Sequence, residues 1–182
     1  MQCIYCQNYE ISRNTDHVPA RKMTPKEVAA EIIKTLATCE NRVGFVSASH
    51  YVYQMIEIID CIRSLGVHPV FIYNSNGYDR PETLRLLEGK IDIYLPDFKY
   101  SDASLGKRLS GVDDYPDVAL SAIREMYWGR SAATHCRTAY FLYIQRALGD
   151  DLGRKIIRIV CQVILIEVDL NFMKNFFHVF KY

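Results

Sequence analysis

The sequence predicts an α/β protein, an incomplete parallel (β/α) barrel. Three observations carry this expectation. Apolar runs of strand length begin near residues 43, 69 and 91, spaced 26 and 22 residues apart, the rhythm of repeated β/α units. Amphipathic segments with helix start and stop signals lie before, between and after them. Each apolar run ends in a polar cluster, as expected where a parallel sheet builds a site at the carboxyl ends of its strands.

In chain order, residues 24–38 read as a helix. Thr24-Pro25-Lys26-Glu27 is a capping box with proline at the first helical position, and Val28, Ile32, Ile33 and Leu36 then recur on one side. Residues 43–47, Val-Gly-Phe-Val-Ser, suit a buried parallel strand. Residues 51–65 form a second helix with Val52, Met55, Ile56, Ile59 and Ile62 inward, and Gly66 just past its end. Pro69 to Tyr73 is a second strand. Asp79-Arg80-Pro81-Glu82 opens a third helix with a cap and an early proline, and Ile91 to Leu95 is a third strand. A short helix follows Asp102 and stops near Gly111, and another runs from about Pro116 to Tyr127. Alternation of this kind implies right-handed crossovers, a parallel sheet and helices outside it. Three strands are too few for a closed barrel.

After Tyr127-Trp128-Gly129 the rhythm stops. Residues 1–128 are therefore expected to form a partial barrel and residues 129–182 a divergent, mainly helical segment, with helices over 138–148 and 152–168. The aromatic tail at 172–182 reads as a packing or association segment, because an exposed Phe cluster favours aggregation.

A chain of 182 residues is long enough for one domain with a real core. With 49% hydrophobic and 24% charged residues its composition is ordinarily globular. A net charge of +1 and the lack of a basic run among aromatics argue against nucleic acid as a partner. No charge-free apolar stretch reaches membrane-spanning length, and residues 1–20 do not read as a signal peptide. The chain is not a small disulfide scaffold despite its six cysteines. Cys39 and Cys61 are expected as buried free thiols, in a reducing cytoplasm.

The polar strand tips hold the candidate chemistry. The first strand ends Ser47-Ala48-Ser49-His50-Tyr51, the second Tyr73-Asn74-Ser75-Asn76-Gly77-Tyr78, and the third Leu95-Pro96-Asp97-Phe98-Lys99-Tyr100. All would face one mouth, which the loop Cys3-Ile4-Tyr5-Cys6 could reach. Two thiolates at this spacing can share a metal or cluster, and the same spacing serves zinc and redox sites. Asn74 and Asn76 with Gly77 also fit a plain turn. Asp97 and Lys99 alternate onto one side and also fit a salt bridge. His50 fits a loop-capping histidine beside Tyr51 as well as a ligand or proton carrier.

Taken together, Cys-Ile-Tyr-Cys-Gln-Asn-Tyr-Glu-Ile-Ser at 3–12, Ser-His-Tyr at 49–51, Tyr-Asn-Ser-Asn-Gly-Tyr at 73–78 and Tyr-Leu-Pro-Asp-Phe-Lys-Tyr at 94–100 resemble the radical S-adenosylmethionine (radical SAM) superfamily, pyruvate formate-lyase activating enzyme type. Gly111 and Tyr115-Pro116 also fit, and the resemblance covers about residues 3–128. It implies a [4Fe-4S] cluster with Cys3 and Cys6 as the second and third cysteines of the family's loop. It places Tyr5 near the adenine, with Asn8 and Tyr9 following as in relatives. Ser47 and Ser49 stand where the family contacts the methionine amino group, without its usual glycine-rich stretch. Asn74, Asp97 and Lys99 match positions for the methionine moiety and ribose of S-adenosylmethionine. The implied activity is oxidoreductive: reductive cleavage of S-adenosylmethionine to a 5′-deoxyadenosyl radical, with a reducing electron donor and a glycyl radical enzyme or other protein substrate as partners. The family's first cysteine, four residues before Cys3, and the strand ahead of it have no counterpart here. The expectation is a truncated member, and the alternative is a catalytically silent barrel fragment. Neither Cys39 nor His17 carries a signal as a substitute ligand.

Overall fold

The computed structural model describes residues 1–6, 9–12 and 21–128, omitting the side chains of residues 10, 11, 127 and 128. Expectations for Asn8, His17 and residues 129–182 lie outside the described residues. After a short helix α1 (Tyr9–Ser12), the order is α2 (Pro25–Thr35), β1 (Arg42–Val46), α3 (Val52–Ser64), β2 (Val70–Ser75), α4 (Pro81–Arg85), β3 (Ile93–Pro96), α5 (Ala103–Ser110) and α6 (Tyr115–Trp128). The strands form one parallel sheet in the order β1-β2-β3. Among the described residues this sheet is open, with β1 and β3 at its edges.

Local chemistry accounts for most boundaries. Thr24 Oγ1 accepts the Glu27 N–H at 3.3 Å, and the Glu27 carboxylate accepts the Thr24 N–H at 2.7 Å. These two bonds close the capping box at the start of α2. Thr24→Ala is expected to cost about 1 kcal/mol, read as a lower urea midpoint with an unchanged slope. Strand β1 stops at Val46, one residue earlier than expected, because Ser47 turns the chain in the left-handed region (φ 51). A 3-10 turn (Ala48–Tyr51) then leads into α3. Strand β2 instead runs on to Ser75. Asp102 caps α5 through the Leu105 N–H at 3.1 Å, and Gly111 ends it at φ 76.

Helix α4 departs from the expectation. Arg80 is its N-cap and makes no side-chain capping bond, and the helix lasts five residues. Asp79, expected in the cap, is buried and hydrogen-bonded elsewhere. Residues 86–90 continue in turns, such as Leu87 N–H to Leu84 O at 2.9 Å, up to Gly89 at φ 69.

The main core lies between the sheet and its helices. Val43, Phe71, Tyr73 and Tyr94 pack with Met55, Ile59 and Ile62 of α3, Leu84 and Leu87, and Ala122 and Met126 of α6. Ile56 is only partly buried against this cluster. The register pairs Gly44 with Ile72, Val46 with Asn74, and Asn74 with Leu95. By alternation these residues share the opposite face of the sheet, where Val46 is 62% exposed. A second cluster of Phe98, Tyr100, Tyr115 and Ala119, with Met1, Leu105 and Leu109 against it, sits beside the strand tips.

The expected burial of two thiols is corrected. Cys39 is exposed and Cys61 half-buried. Cys39 ends the 3-10 turn Leu36–Cys39 ahead of β1, so it belongs to the amino end of the sheet, away from the strand tips. No helix among the described residues is long and apolar enough to cross a membrane.

Candidate functional site

The strand tips are held together by one phenol. Tyr115, at the start of α6, is fully buried. Its hydroxyl accepts the Lys99 N–H at 2.8 Å and lies 2.8 Å from the carbonyl oxygens of both Asn76 and Asp97, to which it donates. With one proton for two acceptors, it bridges the end of β2 to the end of β3. Gly77 makes room for it: a Cβ there would lie 3.2 Å from the Tyr115 hydroxyl, and φ is 78. The Tyr115 ring lies 5.2 Å from that of Tyr100 and 6.1 Å from that of Tyr78, centroid to centroid.

Around this hinge stand the charged groups. Asp97 continues the ladder through its N–H to Ser75 O at 2.8 Å. Alternation puts its side chain on the face shared by Asn74 and Leu95. Its Oδ2 forms an ion pair with Lys99 Nζ. Its Oδ1 is buried with no protein hydrogen-bond partner. A buried acceptor left without a donor is costly, and here it sits beside a cation at the end of a parallel sheet. Asn76 behaves as a turn residue, with Oδ1 accepting the Tyr78 N–H at 2.9 Å.

Beneath the β2 tip lies a second network, on the helix-facing side. Asp79 accepts from Tyr73 Oη at 3.0 Å and from Ser75 Oγ, and Ser75 Oγ accepts the Gly77 N–H at 2.9 Å. Ser49 Oγ lies 3.3 Å from Tyr73 Oη. These bonds fix the Asn74–Gly77 loop from behind. Burial, followed by the Asp79 charge, pushes the Tyr73 phenol well above its ordinary range. Burial does the same for Tyr115, with the Asp97 charge adding to it.

The cysteine loop docks on the same end. The Gln2 and Ile4 N–H groups donate to Ser110 O and Leu109 O, each at 3.0 Å, so the loop lies along the last turn of α5. Cys6 N–H meets Cys3 O at 3.3 Å, closing a turn between the two thiols. Ser110 Oγ donates to Cys3 Sγ at 2.9 Å and lies 2.6 Å from Tyr100 Oη. Tyr100 Oη also meets Tyr5 Oη. Burial raises the Tyr5 phenol, and its bond to Tyr100 adds to the effect.

Contacts thus run from Cys3 and Tyr5 through Ser110 and Tyr100 to Tyr115, which joins the ends of β2 and β3 beside the Asp97–Lys99 pair, while Cys6 is tied in by its N–H to Cys3 O. Ser47 stands at the β1 tip, exposed, with its N–H on Asn74 O at 2.7 Å. The Ser49 hydroxyl is engaged with Tyr73 instead of the mouth. His50 is exposed, its ring 4.2 Å from that of Tyr51. The sequence motifs include Tyr100 and Tyr115 without giving them these bridging roles, Asp79 reads there as a helix cap, and nothing singles out Ser110. A buried phenol requires a polar partner, but Tyr100, beside Lys99 and Ser101, and Tyr115, beside Asp114, stand next to polar residues that give no local sign of burial.

Over 121 residues the chain is 33% identical to an uncharacterized protein of Methanocaldococcus jannaschii, a match that takes in 64% of this chain and 35% of that protein. The chain thus spans well under two thirds of the length of the curated relative it matches. No family model matches the chain, and no solved structure does.

Proposed function

We propose that this chain is part of a radical S-adenosylmethionine protein resembling a glycyl-radical-enzyme activating enzyme, with its site in the mouth above β1, β2 and β3. The observation that supports this best is the arrival of the Cys3–Cys6 loop at the sheet end where a buried carboxylate oxygen, Asp97 Oδ1, has no protein partner. Thiolate sulfur is the right donor for an iron–sulfur cluster. Cys3 and Cys6 supply two thiolates, and no three His, Cys, Asp or Glu side chains gather as a metal site among the described residues. The reading therefore requires a third ligand from outside them. When bound, a [4Fe-4S] cluster supplies the electron that cleaves the sulfonium of S-adenosylmethionine to a 5′-deoxyadenosyl radical.

The chain's own residues have binding work to do. Asp97 Oδ1 accepts a hydrogen bond from an ammonium or hydroxyl group of the ligand. Lys99, held by the same carboxylate, offers its charge to a ligand carboxylate. The Asn74 amide stands beside them on the same face, and the Tyr5 ring, 40% exposed, offers a flat surface to a base. Tyr115 and Asp79 hold this set in place without touching the ligand. An electron donor and a protein substrate complete the reading as partners.

Anaerobic reconstitution of the whole protein with iron and sulfide tests it. The expected result is about four irons per chain, with 5′-deoxyadenosine formed on reduction in the presence of S-adenosylmethionine. Cys3→Ala and Cys6→Ala each lose both signals. The second reading, a catalytically silent barrel fragment, is favoured by the two-thiolate set. Fewer than about three irons per chain and no 5′-deoxyadenosine would establish it.

A further inference from the structure

We propose that Cys3 and Cys6 are a reversible dithiol–disulfide pair, a thiol-exchange site whose co-substrate is a low-molecular-weight disulfide. This does not rest on the proposed function: two thiols complete the chemistry, whereas a cluster needs a ligand from outside the described residues. The Cys6 N–H bond to Cys3 O at 3.3 Å makes Cys3-Ile4-Tyr5-Cys6 a hydrogen-bonded β-turn, with the cysteines at its first and last positions. Such a turn brings those two Cα atoms within about 7 Å of each other. Disulfides span Cα separations of about 4.4–6.8 Å. The pair therefore closes by side-chain rotation with little backbone movement.

Anchoring and access both favour exchange. The Gln2 and Ile4 N–H groups bind the last turn of α5, and Ser110 Oγ holds Cys3 Sγ at 2.9 Å. One sulfur is thus fixed while the turn carries Cys6 back beside it. Both thiols are only half-buried, and Ile4 between them is 71% exposed, which leaves the pair open to a small reactant from solvent. In the first step one cysteine, as thiolate, attacks a sulfur of the small disulfide. The small molecule's S–S bond breaks, a mixed disulfide forms and one small thiolate leaves. The second cysteine then attacks the protein sulfur of that mixed disulfide and expels the other small thiolate. The Cys3–Cys6 bond is made and two protein thiols are oxidised. The small disulfide is reduced to two thiols, which take up the two protons the cysteines release. Ring closure is intramolecular, so a turn that presents both sulfurs favours it over attack by a second small molecule. A closed disulfide has no thiolate to offer a metal, so the oxidised pair and an iron-loaded loop exclude each other.

The test incubates the whole, metal-free protein under argon with mixtures of oxidised and reduced glutathione. Acid quenching and alkylation of free thiols follow, with mass spectrometry of the tryptic peptide that ends at Arg13 and carries both cysteines. In wild type this peptide is expected to lose both thiols to an internal disulfide and to regain them in dithiothreitol. At fixed reduced glutathione, the folded protein is expected to need about tenfold less oxidised glutathione for half-oxidation than the chain unfolded in urea, because the turn raises the effective concentration of one thiol at the other. Cys3→Ser and Cys6→Ser are each expected to stop at a mixed disulfide with glutathione on the remaining cysteine. Cys39→Ser, on an exposed thiol outside the turn, is expected to match wild type. Two unmodified thiols, two separate glutathione adducts, or a disulfide to Cys39 or to another chain would overturn the pair. A folded protein no more readily oxidised than the unfolded chain would overturn it as well. None of these results bears on the anaerobic iron count of reduced protein, which tests the proposed function by itself.

Discussion

Tyr115→Phe is expected to destabilise the protein by about 2–3 kcal/mol, an effect out of proportion to one oxygen atom. The ring and its contacts with Tyr78, Phe98 and Tyr100 are retained, so the loss isolates the hydroxyl. That hydroxyl holds the Lys99 N–H and serves the carbonyls of Asn76 and Asp97 in a fully buried position. Removing one partner from buried polar groups costs about 1–3 kcal/mol for each group left unsatisfied, and at least two are left here. Equilibrium urea unfolding measures the effect. A loss below about 0.5 kcal/mol, the scale of an ordinary surface change, would show that the strand tips do not depend on this bridge. In protein that binds ligand, the same variant is expected to weaken binding, because Asn76 and Asp97 are no longer tied together.

Stability is also expected to fall steeply as pH rises past about 10, the ordinary tyrosine value. Tyr73 and Tyr115 are both fully buried, and burial raises both phenols in the folded protein. A raised folded value means that the unfolded chain ionises first. Their contribution is thus complete below the unfolded value and is lost as pH rises from there toward the folded one. Within that window each tyrosine removes about 1.4 kcal/mol per pH unit, so the pair removes nearly 3. Tyr5 is half-exposed and adds little, since solvent screens it. Unfolding free energies at pH 9, 10 and 11 measure the slope. Tyr73→Phe is expected to halve it while leaving the pH 7 to 9 plateau flat. An equal slope in that variant would mean that other groups drive the alkaline loss.

Much of the scaffold was legible because its signals are local. The Thr24 capping box, the Asp102 cap with Gly111, and the apolar faces of α2 and α3 are each written within a few residues. The strand tips were legible for the same reason, since apolar runs end where polar residues begin. Asp79 shows the limit. Beside Arg80-Pro81-Glu82 it reads as a helix cap, yet two hydroxyls from β2 draw it inward. Ser47 shows another, since nothing in Val-Gly-Phe-Val-Ser announces the left-handed turn that ends β1. Cys39 reads as a buried thiol because it follows an amphipathic helix, but the final 3-10 turn rotates it into solvent.

By itself, the sequence determined the parallel α/β plan, the order of its elements, and which polar residues stand at the strand tips. These follow from periodicity and capping, whose range is a single turn or strand. Only the tertiary structure decided how those tips are joined. Ser110 meets Cys3 across 107 positions of chain, and Tyr5 meets Tyr100 across 95. Which hydroxyl finds which acceptor depends on how α5 and α6 pack beside β3, and a pattern that reports one face of one element carries no information about its partner across the fold.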